Sequence, residues 1–276
     1  MLQQIVKLFA SGFVYPNLTL TGLALGIGLG IVFGAICLIK YRPPIFKKPW
    51  LWAVAASSAI LTWTAMAFVQ APLQAWSFQA MEHFWSLETL MRWLLVASIP
   101  SILLSGLVQE GSKLLPVVLW WHRKNKDITA KTGLVVGAIA GAGFGVFEAV
   151  WVLNQVFASG WGWNMVQSQG FLALLPFFER FFAVAFHIGS SALAGYGLAK
   201  GWGWQFYLAA AFLHGLVNYS VVLLHTQVLT AVQGEMWIAI LATMVTVVVL
   251  RLPWKRPANI AEVASSLKSA RFYVQE

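Results

Sequence analysis

The chain of 276 residues is short of charge, short of acids in particular, and almost without cysteine. Charged residues make up 10% of it, against about 25% in an ordinary soluble domain, and only nine are Asp or Glu. So little polar surface excludes a disordered chain, a nucleic-acid module and an ordinary cytosolic enzyme, all of which need charge facing water. The lone Cys37 excludes an internal disulfide and a thiolate metal cluster. Internal repeats, low-complexity tracts and a second soluble domain are also missing. What fills the chain is apolar: 59% hydrophobic residues, 15 tryptophans and a mean hydropathy of +0.74. The lipid bilayer is therefore its main solvent. The net charge of +9 belongs to membrane topology rather than to nucleic acid, because Lys and Arg collect in cytoplasmic loops.

A membrane-spanning helix needs about 20 mostly apolar residues. Runs of that kind lie at 18–39, 50–71, 93–121, 132–157, 170–199, 203–226 and 230–250. They predict an all-α, polytopic transmembrane bundle of about seven spans, forming one domain over 1–251 followed by a short polar tail at 252–276. The run from Leu18 is too long for a signal-peptide core and has no clear small-residue cleavage site, which predicts a retained first span. Glycines at 22, 26, 28, 30 and 34, and again at 137, 141, 143 and 145, predict close helix packing. The stretch 72–90 mixes Trp76, Phe84, Trp85 and Leu87 with polar residues and predicts an outer interfacial helix.

The bases test this partition. Lys40, Arg42, Lys47 and Lys48 follow the first run; Arg123, Lys124, Lys126 and Lys131 follow the third; Lys200 follows the fifth; Arg251, Lys255, Arg256, Lys268 and Arg271 follow the seventh. Fourteen of 18 bases thus fall on one side, against Lys7 and Arg92 on the other, with Lys113 and Arg180 inside runs. The expectation is a multi-pass cell-membrane protein with its N-terminus outside and its C-terminus in the cytoplasm.

An ionisable side chain near the bilayer centre costs about 2.5–3.5 kcal/mol on insertion scales and marks a functional candidate. Glu110, Lys113, Glu148, Glu179, Arg180, His187 and His214 stand out inside the runs. At about 1.5 Å per residue, Glu110, Glu148, His187 and His214 fall at similar depths on four different helices, as a shared cavity requires. Positions three or four apart share a helix face. Glu110 can therefore pair with Lys113, while Ser191 lies one turn from His187 and Asn218 one turn from His214. Arg180, nearly two turns from His187, can face the same cavity, whereas Glu179 is expected to point elsewhere. His83, His122 and His225 fall near span ends and carry no role.

These residues resemble a known family. Gln109-Glu110 with Lys113, Phe144 to Glu148, Glu179-Arg180 with His187 and Ser191, and His214 with Asn218 are similar, in order and on successive spans, to the motifs of the PrsW and YhfC families. Those belong to the superfamily of the CAAX prenyl endopeptidases. The resemblance covers about residues 100–220, within a motif-bearing core of 93–226. It implies hydrolysis of a peptide bond in or near the membrane, in a membrane-embedded protein or peptide, by water activated through Glu and His. On a metallopeptidase reading, Glu148, His187 and His214 form a zinc set with Glu110 as base. On a glutamic reading no cofactor is needed: Glu110 or Glu148 activates water, while His214 and Asn218 stabilise the oxyanion. Gln109 departs from the family pattern, which opens on two adjacent acids. An amide takes no proton near neutral pH, so the alternative is a non-catalytic multipass scaffold of the same fold.

Overall fold

A computed structural model describes residues 15–125 and 127–252. Lys7, Lys126 and the tail bases Lys255, Arg256, Lys268 and Arg271, with the tail itself from residue 253, lie outside the described residues. Among the described residues the fold is helices joined by short turns and loops, with no strand. The helices are α1 (Leu20–Leu38), α2 (Trp50–Ala65), α3 (Ala71–Glu82), α4 (Leu87–Arg92), α5 (Leu94–Ala97), α6 (Ile99–Arg123), α7 (Ala130–Ala158), α8 (Trp163–Gln169), α9 (Leu175–Ala199), α10 (Gly203–His225) and α11 (Ala231–Arg251). Seven helical stretches among them are long and apolar enough to cross a membrane, as expected from the sequence.

Local sequence sets several helix starts. Thr19, Thr129 and Thr230 cap α1, α7 and α11, each accepting a backbone N–H with its hydroxyl oxygen, and Gln233 completes a capping box with Thr230. Proline sits in the first turn of α6 and α9, where its missing N–H costs little.

Two stretches differ from the sequence expectation. The second span does not stop at 71: a π-turn, Met66–Gln70, carries the chain from α2 straight into α3, so that the apolar helix runs Trp50–Glu82. Pro72 lacks the N–H that a regular helix uses here, and a wider turn absorbs the loss. The fifth span is preceded by α8 and a 3-10 turn, Gly170–Leu174, entered at Gly170 with φ +60°. Trp161 holds this segment down by donating its indole N–H to the carbonyl of Ala173 at 2.8 Å.

Helix α7 is the centre of the bundle. Leu134, Val136, Ala138, Ile139, Ala140, Phe144 and Leu153 are buried, and its largest contact is with α9, followed by α2 and α1. Gly22, Gly26, Gly30 and Gly34 form one buried stripe of α1 laid on Phe157, Asn154, Val150 and Val146 of α7, whereas Gly28 faces open space. On the other side of α7, Gly137 and Gly141 lie directly under the carbonyl oxygens of Ser191 and His187 in α9. The small-residue packing expected from the sequence is thus realised at the helix that carries Glu148, against the helix that carries His187. The outward faces of the bundle are apolar, with Ile31, Ile36, Phe212, Ile240 and Val248 exposed, which is the surface a bilayer covers.

Candidate active site

The polar residues of four helices meet in the interior. Glu110 and Lys113, one turn apart on α6, are completely buried and form an ion pair with Nζ 2.6 Å from Glu110 Oε1. The same oxygen accepts from His214 Nδ1 of α10 at 2.7 Å and from Ser190 Oγ of α9 at 3.0 Å. Glu110 Oε2 is buried with no hydrogen-bond partner among the described residues.

Lys113 Nζ also reaches His187 Nδ1 of α9, at 3.0 Å. An ammonium donates and cannot accept, so Nδ1 accepts and the ring proton lies on Nε2. There it is donated to Glu148 Oε2 of α7, 3.0 Å away. Arg180 Nη1 reaches that same oxygen at 3.2 Å and also pairs with Glu179. Glu179, expected to point elsewhere, instead completes the surroundings of Arg180, because adjacent side chains that both bend toward a cavity can meet. The rings of His187 and His214 lie 5.2 Å apart, and Phe144 and Phe186 stand edge-on around them.

A cavity of about 270 Å³ opens onto this cluster, lined by Glu148, Glu179, Arg180, His187, His214 and Asn218 among others. Asn218 donates one N–H to Ser105 Oγ at 2.9 Å and keeps the second of its two donors. Ser191 is buried but its hydroxyl has no partner among the described residues; the serine that contacts the cluster is its neighbour Ser190. Both lie within one turn of His187, and spacing alone cannot choose between three residues on and four. Gln109 is buried outside the cluster, donating to Gln70 of the π-turn at 3.1 Å. Adjacent helix positions face different directions, so the motif's first position and Glu110 have separate surroundings. Gln70, Ser190 and Glu235, another residue lining the cavity, were not singled out from sequence.

Donor atoms of Glu110, His187 and His214 all lie within 4.8 Å of one another, and the three residues are buried. A carboxylate and two imidazoles are the donors of many catalytic zinc sites, and the unpartnered Glu110 Oε2 leaves a lone pair for a cation. The residues present therefore fit a divalent metal by type and proximity. Glu110 is the acid of this group, while Glu148, the acid expected beside the two imidazoles from the sequence, bonds His187 Nε2.

No curated protein and no solved structure matches the chain significantly. The family model described as PrsW family intramembrane metalloprotease matches residues 47–251, a range that includes α2 to α11 and every residue of the cluster. The chain therefore belongs to the PrsW family of intramembrane metalloproteases.

Proposed function

We propose that this protein hydrolyses a peptide bond of a membrane-embedded or membrane-proximal protein segment, with water activated in the cavity between Glu148, His187 and His214. The observation that carries this reading is the convergence of Glu110, Glu148, His187 and His214 from four helices into one hydrogen-bonded cluster, with Glu148, His187 and His214 lining a cavity inside an apolar bundle.

Glu110 orients His214 by accepting its Nδ1 proton, which leaves the lone pair of Nε2 to take a proton from water or to bind an ion. Glu148, held by Arg180 and His187 and lining the cavity, supplies a carboxylate beside that position and stabilises positive charge that develops on His187. Asn218 lines the cavity, and on this reading its remaining N–H donates to the carbonyl oxygen as that atom gains negative charge. On the metal-dependent reading, Glu110, His187 and His214 would hold zinc, whose chemistry is Lewis acidity toward water and a carbonyl oxygen. Because Gln109 is turned to Gln70 rather than into this cluster, its replacement of an acid leaves the proposed machinery complete, which favours an enzyme over a scaffold.

The test compares purified protein with the Glu148→Gln variant, both in lipid vesicles together with solubilised membrane proteins, by sequencing newly formed chain ends. A positioned acid or base contributes about 10²–10⁴-fold, so cleavage is expected to fall at least 100-fold in the variant. Identical sets of chain ends from the two proteins would overturn the proposal.

A further inference from the structure

The site already contains a cation. Lys113 Nζ lies 2.6 Å from Glu110 Oε1 and 3.0 Å from His187 Nδ1, and stands 5.9 Å from the centre of the Phe144 ring. Its side chain is completely buried, so no water substitutes for either contact. These two atoms belong to two of the three residues that could ligate a metal.

His187 has no nitrogen to spare, since Nε2 is bonded to Glu148 and Nδ1 to Lys113. It can ligate an ion only by giving up one of these bonds. Through Nδ1, an ion about 2.0–2.2 Å from both nitrogen and carboxylate oxygen overlaps the volume of Nζ, and two cations in contact repel strongly in a buried setting. Local charge points the same way: Lys113 already neutralises Glu110 at this place, so a dication beside the same carboxylate adds uncompensated positive charge there unless the lysine leaves.

Resting on the reading of this cluster as the active site, we infer that Lys113 is its resident cation, holding the place between Glu110 and His187, so that a divalent ion enters the Glu110–His187–His214 set only by displacing Nζ. Without an ion, the ammonium neutralises Glu110 and fixes His187 with its proton on Nε2, toward Glu148. Lys113 thereby acts as a positioning residue that sets metal affinity.

The experiment is a titration of chelator-treated protein in lipid nanodiscs with Co²⁺, followed by its visible absorption, and with Zn²⁺ by calorimetry. It compares the unaltered chain with Lys113→Met, which keeps the length without charge, and Lys113→Gln, which keeps a hydrogen-bond donor. Both variants are expected to bind one ion per chain at least 100-fold more tightly than the unaltered protein, and adding Glu110→Ala to either should abolish the gain. If a variant folds only with the ion present, the ion is replacing the missing charge, which supports the inference. Equal affinity in all three proteins, no binding by folded variants, or variants that remain unfolded with the ion would each overturn it. None of these readouts involves cleavage, so the inference and the proposed peptidase activity fail separately.

Discussion

At the scale of single residues, the cluster is organised around one oxygen. Glu110 Oε1 accepts from Lys113, His214 and Ser190, three donors from three helices, which lets a carboxylate remain in an apolar bundle. Ser190 is the least obvious of them. Removing its hydroxyl by Ser190→Ala deletes one bond to a buried charge and is expected to cost about 1–2 kcal/mol, read as a lower unfolding temperature in detergent. Ser191→Ala, which deletes a hydroxyl without a partner among the described residues, should cost less than half as much. Equal losses at the two positions would remove Ser190 from the network. The titratable members Glu110, Lys113, Glu148, Arg180, His187 and His214 were legible in the sequence because charge inside an apolar run is conspicuous at any helix rotation. Ser190 and Gln70 were not, since a serine or glutamine is unremarkable until the rotation of its helix and the identity of the facing helix are known. Glu235 was missed because it sits in the second turn of its helix, where an acid looks like a span end.

At the scale of helices, position depends on how closely α7 and α9 approach. A Cβ on Gly141 would enter the carbonyl oxygen of His187, and one on Gly137 that of Ser191. The backbone that carries the imidazole is thus seated on glycine. Gly141→Ala must push the helices apart or distort one of them, an overpacking cost of about 1–3 kcal/mol, and it should lower cleavage because His187 moves with its backbone. Gly28→Ala is the matched control: nothing lies within 4 Å of its added methyl, and the better helix propensity should leave stability equal or up to about 1 kcal/mol higher. Thermal unfolding of both variants checks the contrast, and a Gly141→Ala protein as stable and active as the original would break the argument. The glycine runs were readable as packing surfaces from sequence, but which glycines touch was not: both Gly28 and Gly30 lie in the same run, and only the second meets α7. The π-turn was likewise invisible, because Pro72 signals a break in the hydrogen-bond ladder without saying whether the chain stops or widens its turn.

At the scale of the whole molecule, the cavity and the basic loops lie at opposite ends of the helices. Glu179 and Arg180 are in the first turns of α9, Val221 and Leu224 in the last turns of α10 and Glu235 near the start of α11. Lys40 to Lys48, Arg123, Lys124, Lys131, Lys200 and Arg251 fall at the other ends of consecutive spans. If the basic ends face the cytoplasm, as the excess of Lys and Arg favours, the cavity opens toward the outer half of the membrane and a substrate reaches Glu148 and His214 from that side. In a Cys37→Ala background, a cysteine at Leu224 should react in intact cells with a maleimide that cannot cross membranes, whereas one at Lys124 should react only after the cells are opened. Reversal of this pattern would invert the molecule in the bilayer and move the cavity mouth to the cytoplasmic side. Labelling of both positions in intact cells would instead show that the two ends do not lie on opposite faces of the membrane, and would remove the directional argument with it.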